Sequence, residues 1–530
     1  MTPAMPRAGC LEFPICVYLH TMAESKKETE RKYEVPGAEG TSWLPDLTGV
    51  AGVRAVQDRG TDDLDAVYYD TADLRLYGTS ATLRRRTGGS DAGWHLKLPI
   101  SGTEREEVVE PLSHDVPDTL RELARSRTRG AALLPVARIR STRRARHLVG
   151  ADDTPLAELS VDTVRADSLL DPSRHASWTE VEVELTGDAD GALLDAVDKK
   201  LRKAGIKRAT YPSKQARALR DTGAVKGDGR ARPTGVAPGS AGELVLAYLR
   251  QQTDTFVALD PAVRRDRPDA VHQMRVTCRR LRNCLRSYRS VLDRAATDPL
   301  RGELRWLAHE LGAARDQEVL HERLADGIGA LPAELVLGPV EARLRAWNVS
   351  LGNAARQRTL DALASPRYLA LLDSLATLAD RPPLRAKASG KPGKVLGRAI
   401  LKEYERLAGR TEHALSLPPG HDRDTALHQA RKTAKRVRYA TETARPALGK
   451  PADRLRKRVR AVQKVLGDHQ DSVVARATLR ELAVAAHASG EPGFTWGLLY
   501  GQERARGKAR QEQLPEVWNR ASKRGLRKAL

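Results

Sequence analysis

Glu28, Glu30 and Lys32 stand two residues apart in ETERK, and Glu180, Glu182 and Glu184 stand two apart in EVEVE. Residues i and i+2 share one face of a strand. Each run therefore gathers these three residues on one side and turns Thr29, Arg31 and Tyr33, or Val181, Val183 and Leu185, to the other. Paired carboxylates suit hard divalent cations such as Mg2+ and Mn2+, which prefer oxygen ligands. Bases recur at the same spacing: Arg84 with Arg86, His95 with Lys97, and Arg138 with Arg140, while Arg105 pairs in spacing with Glu107. Arg and Lys suit phosphate oxygens, and Arg can bind them in a fork. Carboxylates for a metal beside a basic lining are what a phosphoanhydride substrate requires. No Ser, Cys or His nucleophile stands out, in keeping with direct attack by water.

A second chemistry lies in the C-terminal half. In Val271 to Leu292 an apolar stripe (Val271, Met274, Cys278, Leu281, Leu285, Tyr288, Leu292) recurs at steps of three and four. Beside it runs a cationic stripe of His272, Arg275, Arg279, Arg282, Arg286 and Arg289, with no acid anywhere in the segment. Like charges one helical turn apart cost stability. The pattern returns 156 residues on: His428, Arg431, Lys435, Arg436 and Arg438 stand where His272, Arg275, Arg279, Arg280 and Arg282 stood. Leu311, Gly312 and Asp316 are echoed by Leu466, Gly467 and Asp471, the aspartates reading as structural partners of a nearby Arg. Asp468 and His469 read as a wet turn. A repeat this long predicts two similar helical bundles about a pseudo-twofold, with the cationic stripes facing one groove.

The elements that must position these groups change type along the chain. From residue 28 to about 220 the polarity alternates with period two between turn residues. A flat sheet with one wet face accounts for any single strand. The clustering of like charges on particular strands is better explained by a closed barrel with a polar lumen. Helices over Asp118 to Arg127 and Ala192 to Ala204 are expected to cover it. Residues 223–240, GAVKGDGRARPTGVAPGS, read as a flexible linker. From 243 to 525 the period is helical, in units of about 243–380 and 395–525. Residues 1–27 read as a disordered leader, with Met1 and Met22 both open as the start. The expected fold class is α+β in two domains: an N-terminal eight-stranded antiparallel β tunnel with covering helices, then an all-α domain of two repeated helical bundles.

The totals agree with an anionic ligand. The 530 residues carry 90 Lys and Arg against 68 Asp and Glu, a formal charge of +22. Aromatics are 4%, which disfavours stacking on single-stranded nucleic acid. The four cysteines, Cys10, Cys16, Cys278 and Cys284, lack metal-ligand spacing and read as reduced thiols. No run approaches the roughly 20 apolar residues of a membrane span. The expected location is the cytoplasm, with polyphosphate granules as a candidate site of association.

Glu28-Thr29-Glu30-Arg31-Lys32, Tyr68-Tyr69-Asp70-Thr71, Leu74-Arg75-Leu76, Leu83-Arg84-Arg85-Arg86, Trp94-His95-Leu96-Lys97, the Glu180–Glu184 alternation and Ser213-Lys214 occur in the order of the blocks of the CYTH domain. Residues 25–220 thus resemble the triphosphate tunnel metalloenzymes. That resemblance implies a metal-dependent triphosphatase, with Glu28, Glu30, Glu180, Glu182 and Glu184 as metal ligands and Mg2+ or Mn2+ as cofactor. It implies Glu28, Glu30 and Lys32 as catalytic, and Arg84, Arg86, Lys97, Arg105, Arg138, Arg140 and Lys214 as substrate-binding. The segment RIRSTRRAR around Arg138 and Arg140 offers several registers. Inorganic triphosphate is the first expectation, since no base-specific pocket is legible; nucleotide cyclases and thiamine triphosphatases belong to the same family. The C-terminal half resembles the CHAD domain, the conserved histidine α-helical domain, associated with polyphosphate. That resemblance implies polyphosphate contacts from His272, Arg275, Arg279, Arg282, His428, Arg431, Lys435 and Arg438. The alternative is a non-catalytic polyphosphate-binding protein using both domains.

Overall fold

The computed structural model describes residues 24–35, 43–101, 104–187, 189–225, 235–528 and 530. Cys10, Cys16, residues 1–23 of the expected leader and residues 226–234 of the expected linker lie outside these residues. Two compact units divide the chain: Met1–Asp70, Ser80–Glu122 and Pro135–Ala224 form one, and Thr71–Thr79, Leu123–Leu134 and Val225–Leu530 the other.

The first unit holds strands β1 (Glu24–Val35), β2 (Ala55–Asp70), β3 (Thr82–Thr87), β4 (Gly93–Ser101), β5 (Glu104–Glu110), β6 (Leu134–Val149), β7 (Pro155–Ser168), β8 (His175–Leu185) and β9 (Lys207–Arg208). Residues 24–27, expected in the leader, belong to β1 and pair with β5. The strand order β5-β4-β3-β2-β6-β7-β8-β1 closes through a β5–β1 pairing, so eight strands form an antiparallel barrel. The two-residue β9 pairs with β1 at Tyr33 and Glu34.

Alternation decides which side chains enter the barrel. The outward parity of β1, β7 and β8 is apolar: Tyr33, Leu159, Val161, Val181 and Val183 are buried against Leu193, Leu194, Val197 and Leu201. Those leucines and the valine sit on α3 (Ala192–Lys203), the amphipathic helix that the spacing predicts. The inward parity is charged, because a closed sheet has nowhere else to place it. α1 (Arg75–Gly78), α2 (Asp118–Thr128) and α4 (Lys214–Asp221) complete this part of the chain. Ser213 caps α4, its Oγ accepting from the Ala216 N–H at 3.1 Å, and fixes Lys214 at the first helical position.

The helical unit continues with α5 (Ala241–Arg264), α6 (Ala270–Ser287), α7 (Arg294–Glu310), α8 (Gly312–Gly329), α9 (Val340–Ala364), α10 (Pro366–Asp380), α11 (Pro392–Ser416), α12 (His421–Leu448), α13 (Lys450–Ala488), α14 (Phe494–Ser522) and α15 (Gly525–Lys528). One core gathers Met274, Leu281, Leu285 and Tyr288 of α6 with Leu427, Ala434, Val437 and Ala440 of α12, so the repeats share an interior. No described helix is long and apolar enough to cross a membrane. The echoed Leu-Gly-Asp pattern is not a turn in both repeats. Leu311 separates α7 from α8, which begins at Gly312, whereas Leu466 and Gly467 lie within the unbroken α13. His469, expected in a wet turn, is instead 2% exposed on α13 beside Asp424, with Nε2 3.1 Å from Oδ1.

Candidate functional site

The barrel encloses a cavity lined by Glu28, Glu30, Lys32, Arg84, Arg86, Lys97, Arg105, Glu182, Glu184 and Lys214, ten of the residues singled out in the sequence. Register explains the convergence. Lys32 lies opposite Glu182, Glu30 opposite Glu184, Glu28 opposite Arg105, and Lys97 opposite Glu107, so acids and bases meet across neighbouring strands. Lys97 Nζ is 2.5 Å from Glu28 Oε2, and Lys32 bridges Glu30 at 2.9 Å and Glu182. Arg105 Nε is 3.8 Å from Glu30.

Arg138 and Arg140 do not enter this cavity. Both are exposed: Arg138 pairs with Asp65, and Arg140 Nη1 lies 2.9 Å from Asp167. The strand residue that reaches inward is Arg143, which donates two bonds to Asp162 at 2.8 Å and one to Glu182 at 2.8 Å. Arg143 differs in parity from Arg138 and Arg140, and one residue of slip sends a side chain to the opposite face. Within RIRSTRRAR the parity was open. In the folded barrel Ile139 and Ser141, which share Arg143's parity, are buried on that face. Asp162, also absent from the expected set, is 0% exposed on β7 opposite Arg143, and its alternation with Val161 was visible. Glu107 faces the cavity too, accepting from His95 Nδ1 at 2.9 Å, while Trp178 Nε1 donates to Glu180 at 2.6 Å.

The fit to a divalent metal can be tested on the donor set. Asp162, Glu180 and Glu182 each offer a carboxylate oxygen, all within 4.8 Å of one another. An all-oxygen trio of this kind fits Mg2+ or Mn2+. Lys214 Nζ lies on the same three carboxylates, at 2.7 Å from Asp162, 2.7 Å from Glu180 and 2.8 Å from Glu182. Glu28, Glu30 and Glu184 line the cavity outside this trio.

Electrostatics divide the carboxylates. Burial opposes ionisation of Glu182, but Lys214, Lys32 and Arg143 outweigh it and hold the group well below the usual range. Burial likewise opposes ionisation of Glu30, and Lys32 and Lys97 keep it low. Glu28 differs: burial lifts it to about 7, with Lys97 opposing and Glu107 assisting. Among the bases, burial with the neighbouring Arg84 and Arg143 pushes Arg86 down to about 9. Guanidinium groups crowded this closely repel one another, and the buried Arg84 Nε and Arg86 Nε have no acceptor among the described residues. A polyanion would relieve both conditions.

In the helical unit the cationic stripes meet. Lys435 of α12 is pushed down to about 7 by burial and by Arg431, Arg279 and Arg438, and Arg279 belongs to the other repeat. Arg275 donates to Asp316 at 2.9 Å and to the Gly312 carbonyl at 3.0 Å, and Arg431 lies 3.7 Å from Asp471. A Cβ added at Gly312 would stand 3.4 Å from Arg275, and one at Gly467 3.6 Å from Arg431. The repeated glycine thus marks where an arginine lies across the helix. His272 and His428 are half-buried rather than sealed in apolar cores, and His428 Nδ1 has no hydrogen-bond partner among the described residues. Burial and the cations Lys432, Arg431 and Lys435 hold His428 below its ordinary value. Arg282 is depressed by burial and by Arg305, Arg301 and Arg286. Arg438 lies over the Tyr439 ring at 4.5 Å. Cys278 and Cys284 are buried thiols in this core.

Comparison with known proteins agrees with both halves. Residues 26–219 match the CYTH domain and residues 247–480 the CHAD domain. An uncharacterized protein of Mycobacterium tuberculosis (strain CDC 1551 / Oshkosh) is 38% identical over 519 residues, covering 95% of this chain and 97% of its own. Among solved structures, PptA from Streptomyces chartreusis is 24% identical and covers 53% of this chain and 99% of its own, with a TM-score of 0.46. The CHAD domain from the plant Ricinus communis is 25% identical and covers 55% and 96%, with a TM-score of 0.42. The chain belongs to the family of proteins that join a CYTH triphosphate tunnel to a CHAD domain.

Proposed function

We propose that the barrel hydrolyses inorganic triphosphate with Mg2+ or Mn2+, and that the helical domain binds polyphosphate along its paired stripes. The observation that carries the first part is one cavity whose wall of Arg and Lys also presents Glu28, Glu30, Glu184 and Glu182, the last a member of the carboxylate trio. CYTH domains include triphosphatases and cyclases, and the lining here has no apolar slot for a base.

The chain's own residues divide the work. Arg84, Arg86 and Arg143 supply fixed N–H groups to phosphate oxygens and offset charge on the transferring phosphoryl. Lys32, Lys97 and Arg105 hold the far side of the chain of phosphates. Asp162, Glu180 and Glu182 would hold the metal, with Glu28, Glu30 and Glu184 facing the same space. When bound, the metal supplies charge neutralisation and lowers the pKa of a water. Glu28, lifted to about 7 by burial, lines the cavity and would hold or release a proton at its own carboxyl near neutral pH.

A second reading is favoured by Lys214, Lys32 and Arg143, which already satisfy the deepest carboxylates. On that reading both domains only bind polyphosphate. A phosphate-release screen separates the two, using triphosphate, long polyphosphate, ATP and thiamine triphosphate with each metal. Hydrolysis of triphosphate that falls by about a hundredfold or more in Glu28→Gln/Glu30→Gln supports catalysis. Turnover unchanged in that variant removes it, and background hydrolysis with tight polyphosphate binding supports the binder.

A further inference from the structure

We propose that the helical domain carries a second anion site, off its twofold, that takes a compact condensed phosphate of tripolyphosphate size. Two adjoining cavities, of about 580 Å³ and 180 Å³, share Arg289, Ser290 and Lys387. The first also shows Arg385, and the second Arg398 and Lys402. The larger falls within the roughly 300–1,000 Å³ of small-molecule sites. Among the described residues no carboxylate pairs with any of these five cations. The one acid in the lining, Glu403, is 3% exposed at its side chain and is held by Arg406 and by Arg436 at 3.6 Å.

A solvated basic face would be expected to repeat with the fold, and this one does not. The offset of 156 that relates His272 to His428 also relates Tyr248 to Tyr404. Applied to the cavity, it places Leu246, 1% exposed, where Lys402 stands. It places Gly242, packed 3.1 Å from Ala388 were a Cβ added, where Arg398 stands. Arg445 corresponds to Arg289 but pairs with Asp453 at 3.2 Å. The helix contact is also unequal: Arg280 pairs with Glu442 at 3.0 Å, whereas its counterpart Arg436 faces Arg286 and reaches Glu403 at 3.6 Å. One side of the pseudo-twofold is neutralised; the other keeps like charges together around a concavity.

Charge density selects the ligand. Five cations around one recess are matched by an anion that packs several charges into a few ångströms, and a carboxylate or single phosphate would leave most of them unpaired. The lining has no aromatic side chain on which a base could stack. Arg289 and Arg398 offer forks, and Lys387 and Lys402 point charges.

This inference does not depend on catalysis in the barrel. The test is calorimetric titration of the full chain with sodium tripolyphosphate in EDTA, where metal-dependent turnover is silent. Arg289→Gln/Lys387→Gln/Lys402→Gln should lose one class of binding site or at least about tenfold in its affinity, while Arg445→Gln, the symmetry-related change, should lose neither. Triphosphate hydrolysis with Mg2+ should be equal in the triple variant and the parent, whatever its absolute rate. The proposal is overturned if the triple variant titrates like the parent. It is also overturned if only long polyphosphate loses affinity, because the patch is then an extension of the stripes.

Discussion

Two residues in this protein are tuned by their surroundings enough to be read in solution. Moving Glu28 from 4.5 to about 7 corresponds to about 3 kcal/mol against its ionised form. Because the folded value is raised, the favourable contribution is complete below the unfolded value and is lost as pH rises toward 7. Glu28→Gln should therefore raise Tm more at pH 8 than at pH 5, and an equal shift at both would show that Glu28 is ionised throughout. Lys435 is the converse, a lysine brought down to about 7 by burial and three arginines. An anion favours its ammonium form, so polyphosphate binding should take up a proton and tighten as pH falls from 8 to 6. In Lys435→Ala the extra tightening should be absent from titrations across that range; a parent with no pH dependence refutes the assignment. Both positions belong to alternations legible in the sequence, but their burial is a property of the folded interior.

At the scale of elements, strand register separates Arg143 from Arg138. Arg143→Gln removes a charged donor assigned to phosphate oxygens; a hydrogen bond to a charged group is worth roughly 1.5–3 kcal/mol, so triphosphate binding should weaken by about tenfold to a hundredfold. Arg138, exposed and paired with Asp65, should be replaceable by Gln with no change in KM or kcat. The opposite order would mean that β6 is shifted by one residue. The amphipathic α3 was readable from spacing, since its apolar positions recur with the helical period. The β6 register was not, because five arginines within nine residues satisfy either parity. Only the pairing of β6 with β7, which sets Arg143 opposite Asp162, resolves it.

For the whole molecule, the buried apolar residues fall into separate clusters. Tyr33, Leu159, Val181 and Leu201 belong to a core of the barrel, and Met274, Tyr288, Tyr404 and Val437 to one of the helical unit. Calorimetry should resolve two unfolding transitions. Mn2+ should raise only the transition of the barrel, by about 2.7 kcal/mol of added stability at a hundred times its Kd. A shift of both transitions, or of the other alone, would place the cation elsewhere.

Period-two and helical alternation, together with one long internal repeat, were enough to specify a polar tunnel followed by a duplicated helical domain. They are local properties, since a strand or helix sorts its side chains by spacing alone. What no spacing could state is which groups share a site. Asp162 joins Glu180 and Glu182 around Lys214 only because the pairing of β7 with β8 and the placing of α4 bring three separate segments together. The unequal sides of the pseudo-twofold were equally beyond reach: the offset pairs Leu246 with Lys402, but only packing shows that the first is buried and the second lines a cavity.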